Sequence, residues 1–281
     1  MANVTLTTSA VNKRSMLAEG ILASLERNLV FEQTIDASFN DLVKGGQGQV
    51  LTIPKFTEPT VGSKSAGSDV TFSADTHGSI TLTMNQHKYV AKQIESIAQL
   101  QTQESMFNKE VEQFGFVLGK AYDSYIESVL EGGSTNQIDY GADDTFTVAL
   151  LRQGIATLLS ADVPMGADTF LVANPTAYAS LLALDTFVDA SKYGDSRPVR
   201  TGEIGSIFGL QVFVSSEISG TADGNESAYM YHRTACVGAR QLEPTVEQDY
   251  SVVALADRVV AHMVYGATLA FADRIVEYNN I

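Results

Sequence analysis

The sequence predicts an α+β protein built from a projecting β-ribbon, a long amphipathic helix and a compact region of alternating strands and helices. Residues 44–90 alternate in the manner of two β-strands, with residues 50–54 leading outward and 80–84 leading back. The tip between them, residues 62–69, consists mainly of glycine, serine and other polar residues. It has too few large apolar side chains to build a core, so the ribbon is predicted to project.

The ribbon is predicted to lie on another protein chain. A two-stranded hairpin alone is marginally stable in water, and its unpaired edges offer hydrogen-bonding groups to another strand. Pro54 marks the outgoing strand as an edge, because proline has no N–H to donate to a neighbour. This combination favours an assembly protein over a catalyst.

A long amphipathic helix is predicted for residues 94–130. Its apolar residues are spaced by three or four positions, which places them on one face of a helix roughly 50 Å long. Gly132 and Gly133 are predicted to end it. The residues of this apolar face are Phe107, Val111, Phe114, Leu118, Ala121, Tyr125 and Val129.

The remaining segments give weaker patterns that complete the predicted α+β organisation. Asn174 followed by Pro175 is typical of a helix start, since asparagine caps the first turn and proline suits its first position. The other predicted elements are an extended arm at 1–12, helices at 13–30 and 145–160, a buried strand at 169–173, a polar loop at 187–201, a hairpin at 204–215, a strand at 228–237 and a β-pattern at 245–279.

Composition excludes several classes of protein. The formal net charge is −15 and only 18 residues are lysine or arginine, which argues against a nucleic-acid-binding module, since such modules rely on clustered basic residues. Cys236 is the single cysteine, so no intrachain disulfide framework exists. The apolar stretch 259–272 is too short to cross a bilayer, and residues 1–10 show no signal-peptide pattern.

The histidines and the cysteine give little support for catalysis or metal binding. His232 and Cys236 resemble a nucleophile pair, but in a strand they would lie roughly 13 Å apart, and a buried structural thiol is the better interpretation. His77 and His87 are interpreted as solvent-facing ribbon residues, because no third ligand stands at a recognisable spacing. We therefore predict no catalytic, cofactor-binding or metal-binding residues.

Two further motifs are interpreted as structural. Residues 115–120 resemble a phosphate-binding loop, but the spacing is one residue short, Ser or Thr is missing after Lys120, and the segment lies inside a helix. The acids Asp139, Asp143 and Asp144 lack the spacing of a calcium loop and suit a turn before a helix. One alternative function is a hydrolase or a metal-dependent enzyme that uses these acids, and the sequence supports it only weakly.

Taken in order, four stretches resemble the major capsid protein of tailed bacteriophages. They are the ribbon strand 48–56, the long helix 94–130, the segment 170–175 together with 202–212, and the C-terminal residues 265–276. The resemblance implies the tailed-phage major capsid fold. Its implied parts are an N-terminal arm and helix (1–43), an extended loop (44–92), a peripheral domain with the spine helix (93–142 and 241–281) and an axial domain (143–240).

The resemblance also implies a function and partners. The chain is expected to form hexamers and pentamers of an icosahedral capsid that encloses double-stranded DNA without sequence-specific binding, in the virion, after assembly in the host cytoplasm. The further expected partners are a scaffolding protein, a portal protein and a decoration protein, and no membrane is involved. The scaffolding protein is expected to be a separate chain, because this chain begins almost directly with the arm. The expected inter-subunit contacts are Val50, Ile53, Pro54, Lys55, Phe56, Lys64, Lys192, Tyr193, Arg197 and Arg200.

One alternative shares the same fold. An encapsulin-like nanocompartment would be built from the same elements and would enclose protein cargo instead of a genome. The sequence leaves this alternative open, since the ribbon and the spine helix would serve either shell.

Overall fold

The computed structural model describes residues 29–44, 48–57, 59–70, 72, 77–95, 105–140, 145–183, 206–218 and 227–279. The predicted arm, nearly all of the predicted helix 13–30 and the polar loop 187–201 lie outside these residues. The described helices are α1 (Phe31–Thr34), α2 (Asn40–Lys44), α3 (Ser105–Gly133), α4 (Val148–Ser160) and α5 (Pro175–Ala183). The described strands are β1 (Val50–Lys55), β2 (Gly78–Thr83), β3 (Gln86–Glu95), β4 (Asn136–Asp139), β5 (Thr169–Ala173), β6 (Ser206–Ile207), β7 (Leu210–Val214), β8 (Ala228–His232), β9 (Cys236–Ser251), β10 (Ala256–Leu269) and β11 (Ile275–Asn279).

The predicted ribbon is present as an antiparallel two-stranded sheet. β1 pairs with β2 in a register that places Ile53 opposite Ile80 and Pro54 opposite Ser79. No third strand joins this pair among the described residues, so Pro54 stands on an edge as predicted. After β2 ends at Thr83, two residues connect it to β3, which begins at Gln86.

A six-stranded sheet forms the centre of the second half of the chain. Its strand order is β4-β11-β8-β5-β7-β6, with parallel pairing of β4 with β11 and of β5 with β7. α3 covers one face of this sheet through the cluster that holds Phe170 and Val172, and α4 and α5 cover the other through the cluster that holds Leu171 and Ala173. β5 is buried along its whole length because both of its faces are covered.

The spine helix α3 is confirmed, but the predicted apolar face is shifted. Its most buried line runs at four-residue steps from Phe114 through Leu118 and Tyr122 to Ile126 and Leu130. Tyr125 and Val129, which the spacing placed on this face, are half-buried at its margin. The face is wider than one stripe because α3 packs against both the six-stranded sheet and β10.

Two element boundaries differ from the predicted ones. Ile94 and Glu95 lie in β3 and not in the helix, because they pair with Asp257 and Ala256 of β10. The predicted strand 228–237 is interrupted by a 3₁₀ turn at Arg233–Ala235, after which the chain enters β9 in a different sheet. In both places, pairing with distant strands decides the local conformation.

A buried glutamate links α3 to the six-stranded sheet. Glu127 is 9% exposed, and the Tyr229 hydroxyl donates a hydrogen bond of 3.2 Å to its Oε1. Burial raises the pKa of Glu127 to about 7, with a further contribution from the charge of Glu131. Burial likewise raises the pKa of Glu277, which is 5% exposed.

We expect the raised pKa of Glu127 to make the fold less stable as pH rises. A carboxyl group with a pKa near 7 in the folded chain and near 4.3 in the unfolded chain holds its proton more firmly when folded. The contribution of this carboxyl group to the free energy of unfolding is fully present below pH 4. It falls by at most about 3 kcal/mol between pH 4.5 and pH 7. Urea unfolding of Glu127→Gln should show a weaker pH dependence and a higher midpoint at pH 8, whereas the exposed Asp249→Asn should behave like the parent chain.

Candidate functional site

The first hairpin, defined here as residues 48–83, carries large apolar side chains that the chain itself leaves exposed. Phe56 is 74% exposed, Val61 is 94% exposed and Phe72 is 92% exposed. Val50 and Val70 are more than half exposed as well. A run of such side chains along a projecting element is typical of a surface that another protein covers.

A small apolar cluster holds the base of the first hairpin. Leu82 and Met84 are buried against Val43 and Val237, and Leu51 and Ile53 pack on the same cluster. The main chain adds an N–H from Met84 to the carbonyl of Gln49 at 2.8 Å. The hairpin therefore leaves the body from a fixed base, which sets its direction.

Gly266 makes the close approach between this base and β10 possible. A Cβ at position 266 would lie 2.1 Å from the carbonyl oxygen of Thr83 and 3.2 Å from the Cα of Met84. Both are backbone atoms, which cannot rotate out of the way. Only glycine fits this crossing without moving the hairpin.

Charged residues cross-link the entrance of the hairpin to β9. Glu243 forms ion pairs of 2.9 Å with both Lys44 and Arg240, and Arg240 also pairs with Glu32. The hydrogen bond from Lys44 lowers the pKa of Glu243 despite the opposing effect of burial. Single exposed pairs contribute little, but a shared network restrains several side chains at once.

A second hairpin, defined here as residues 243–258, joins β9 to β10 within the three-stranded sheet β3-β10-β9. β9 is buried at Cys236–Ala239, but each of its residues from 243 to 250 is exposed. The β10 residues paired with this stretch stay in the core, because Ala256, Val259 and Ala261 are buried, so β9 is an exposed edge strand of the sheet. Its edge strands β3 and β9 carry Tyr89 and Tyr250, which are 70% and 48% exposed.

The turn of the second hairpin, residues 252–255, presents three apolar side chains. Val252, Val253 and Leu255 are 75%, 98% and 63% exposed. Leu255 has a φ of +47°, a left-handed conformation that is uncommon for residues with a side chain. The sequence analysis missed this surface because consecutive apolar residues between two strand patterns are typical of a core.

The structure brings only some of the predicted contact residues to one surface. Val50, Pro54, Phe56 and Lys64 are exposed on the first hairpin. Lys55 is exposed as well, and its ammonium lies 4.3 Å from the ring centre of Phe271. Ile53 is half-buried and packs on the chain's own cluster. Lys192, Tyr193, Arg197 and Arg200 lie outside the described residues, so their predicted roles stay predictions.

The residues considered for catalysis are not arranged for it where they are described. Cys236 is fully buried, and burial raises the pKa of its thiol to about 12, which confirms the structural interpretation. His232 Nδ1 instead contacts the Thr234 hydroxyl at 2.9 Å. Asp139 ends β4 on the exposed side, while Asp143 and Asp144 lie outside the described residues.

The described residues contain neither of two other kinds of site. They contain no group of three or more His, Cys, Asp or Glu side chains able to hold a metal ion. Among the described helices, none combines the length and apolar character needed to cross a bilayer. The exposed apolar side chains of the two hairpins make them the candidate functional surface in the described part of the chain.

Solved structures that are similar to this chain include capsid structures of bacteriophages. A chain from Mycobacterium phage Che8 matches with a TM-score of 0.81 at 22% identity, covering 94% of this chain and 96% of that one. A capsid structure of the cyanophage P-SCSP1u matches with a TM-score of 0.76 at 14% identity, covering 95% and 92%. The mature capsid of bacteriophage PhiM1 gives 0.72 at 14% identity, covering 94% and 91%. The predicted fold class is confirmed.

Residues 41–281 match the model of a family described as phage capsid protein. The chain belongs to this family, since the match spans most of its length. No curated protein sequence is significantly similar to it. The predicted role as a structural capsid protein is confirmed, no finding favours the nanocompartment alternative, and the expectation that the chain is not an enzyme gains support from the family.

Proposed function

We propose that copies of this chain assemble, as hexamers and pentamers, into a closed icosahedral shell around the double-stranded DNA of a tailed bacteriophage. The observation that carries the proposal is the pair of hairpins with exposed apolar side chains on a chain of the phage capsid family. Both hairpins keep large apolar side chains exposed in the single chain, among them Phe56, Phe72 and Val253. Another molecule is needed to cover them, and in a shell that molecule is a second copy.

The proposed contacts extend along both hairpins. On the first they include Val50, Pro54, Lys55, Phe56 and Lys64, and on the second the turn 252–255. Obligate interfaces of this kind bury about 2,000 Å² or more, which two extended hairpins per subunit would help to provide. The predicted contacts Lys192, Tyr193, Arg197 and Arg200 belong to the same proposal.

The domain division is also kept as a proposal, with one change in emphasis. A peripheral unit at 93–142 and 241–281 and an axial unit at 143–240 describe the spine helix and the six-stranded sheet. However, β4 and β11 lie within the residue ranges of the peripheral unit but pair into the six-stranded sheet of the axial unit. Conversely, the first residues of β9 lie within the axial range but pair with β10 of the peripheral unit. The two units therefore exchange strands at their boundary.

The proposed partners follow from a shell that fills with DNA. A scaffolding protein, a portal protein and a decoration protein are the expected partners, with assembly in the host cytoplasm before the virion is complete. A formal charge of −15 per subunit supports enclosure without sequence-specific binding, because an acidic wall repels the phosphate backbone.

The second hairpin provides a test of the proposed contacts. Val253→Asp should leave the subunit folded, because a side chain that is 98% exposed contributes little to folding. It should prevent assembly, because the added carboxylate would be buried without a partner at the interface. Sedimentation velocity should show fast-sedimenting particles for the parent chain and slow species for this variant.

Gln153→Asp is the matched control, since it adds the same charge at an exposed position of α4 that belongs to neither hairpin. Particles should still form with this variant. Equal assembly of both variants would exclude the turn as a contact.

A further inference from the structure

Two histidines from different strands face each other beside the second hairpin. His87 lies on β3 and His262 on the neighbouring β10, in diagonal positions of the antiparallel register. The Nε2 atom of His87 lies 3.3 Å from the Nδ1 atom of His262. The ring centres are 5.4 Å apart at an interplanar angle of 61°. Residues 175 positions apart in sequence thus present two imidazole nitrogens to each other.

This nitrogen separation suits a shared transition-metal ion. Imidazole nitrogens bind Zn²⁺ at about 2.0–2.1 Å in a tetrahedral arrangement, which places two such ligands about 3.4 Å apart. His87 is exposed, so its ring can adjust and water can complete the coordination. A hydrogen bond between the two rings explains the same distance without a metal. Measured Zn²⁺ binding distinguishes a metal site from a direct hydrogen bond.

A carboxylate stands behind one of the rings. Glu247 on β9 has its Oε1 3.8 Å from the Nε2 of His262, on the opposite side of the ring from His87. Histidines that bind a metal through one nitrogen commonly direct the other nitrogen to a carboxylate, which fixes the ring and strengthens the ligand. The side chain of Glu247 is 74% exposed, so it is free to approach the ring more closely.

We propose that His87 and His262 form a two-histidine site for a divalent transition-metal ion of the Zn²⁺ class, with Glu247 as a positioning residue. An ion held there would join β3 to β10 and Glu247 would extend the link to β9. All three strands of this sheet would be stabilised at the base of the second hairpin, where His262 pairs with Thr245. Two protein ligands leave the remaining coordination positions of a tetrahedral ion to water.

The test is equilibrium dialysis of the untagged full chain against Zn²⁺. The parent chain should bind one Zn²⁺ per subunit, and His87→Gln and His262→Gln should each weaken binding at least tenfold. Glu247→Gln should weaken it less, since it removes only the positioning group. Ca²⁺ should not bind, because imidazole is a poor ligand for it.

His77→Gln is the matched control. His77 is an exposed histidine on the first hairpin, where its ring lies beside Phe56 and not beside another histidine. This variant should bind Zn²⁺ like the parent chain. Circular dichroism establishes that each variant is folded, and Co²⁺ should give an absorption spectrum that the His87→Gln variant loses. The proposal would be overturned if the parent chain bound no Zn²⁺ saturably. It would also be overturned if a chain carrying both His87→Gln and His262→Gln bound Zn²⁺ as tightly as the parent chain.

Discussion

Alanine in place of Gly266 is expected to displace the first hairpin from the protein body and to prevent assembly. The added Cβ would lie 2.1 Å from the carbonyl oxygen of Thr83, and relief requires β2 or β10 to move as a whole. Overpacking of this kind costs about 3 kcal/mol when backbone atoms lie on the other side. A lower urea midpoint, faster protease cleavage in residues 48–83 and the loss of particles should appear together.

Gly115→Ala is the control for this prediction and carries the opposite expectation. A Cβ at position 115 meets no other atom within 4 Å, apart from its own helix and chain neighbours. Since alanine favours a helix over glycine, α3 should gain about 0.5–1 kcal/mol. Similar behaviour of both alanine variants would contradict the proposed crossing at Gly266.

Serine at Phe56, Val61 and Phe72 together is expected to leave the subunit folded and to abolish shell assembly. The single chain exposes each of these side chains by 74% or more, so their loss should change the folding free energy by about 0.5 kcal/mol or less each. At an interface, a buried aromatic anchor contributes about 2 kcal/mol. This corresponds to a change of roughly thirtyfold in affinity per residue.

The measurement for this triple variant is the protein concentration at which particles first form. It should rise beyond the accessible range, while the urea midpoint stays near that of the parent chain. Leu159→Ser is the control, because Leu159 is 52% exposed on α4 and belongs to neither hairpin. Particle formation by the triple variant at the parent concentration would remove the first hairpin from the proposed interface.

The sequence predicted those elements whose signals are local. The first hairpin was recognisable because alternating residues flank a polar tip, and Pro54 marked its edge before any pairing was known. α5 was predicted from Asn174 and Pro175, and the Asn174 Oδ1 does accept a hydrogen bond from the Ala177 N–H. Such features depend on a few neighbouring residues, which a single sequence displays completely.

Features decided by distant pairing were not predicted. Ile94 has an apolar side chain that fits a helix as well as a strand, and only its pairing with Asp257 of β10 settles the matter. Val252 and Val253 fell inside the predicted β-pattern 245–279, because the sequence does not show that an exposed turn separates β9 from β10 there. The approach of His87 to His262 likewise needs the sheet register, so His87 was interpreted as an isolated ribbon residue.

The burial of Glu127 is a third example of this kind. Its position on α3 is adjacent to the most buried line, and the spacing of the apolar residues gives no signal that a carboxylate is buried there. The hydroxyl of Tyr229 on β8 provides the partner that allows its burial. A charged residue inside an apolar helix face is therefore uninformative until the opposite surface is known.

Electron microscopy of the full chain, expressed together with the proteins encoded beside it, tests the central claim most directly. The proposed function predicts closed icosahedral shells in which both hairpins of each subunit lie against neighbouring subunits. Exclusively monomeric protein under these conditions, or shells in which both hairpins remain exposed to solvent, would contradict it.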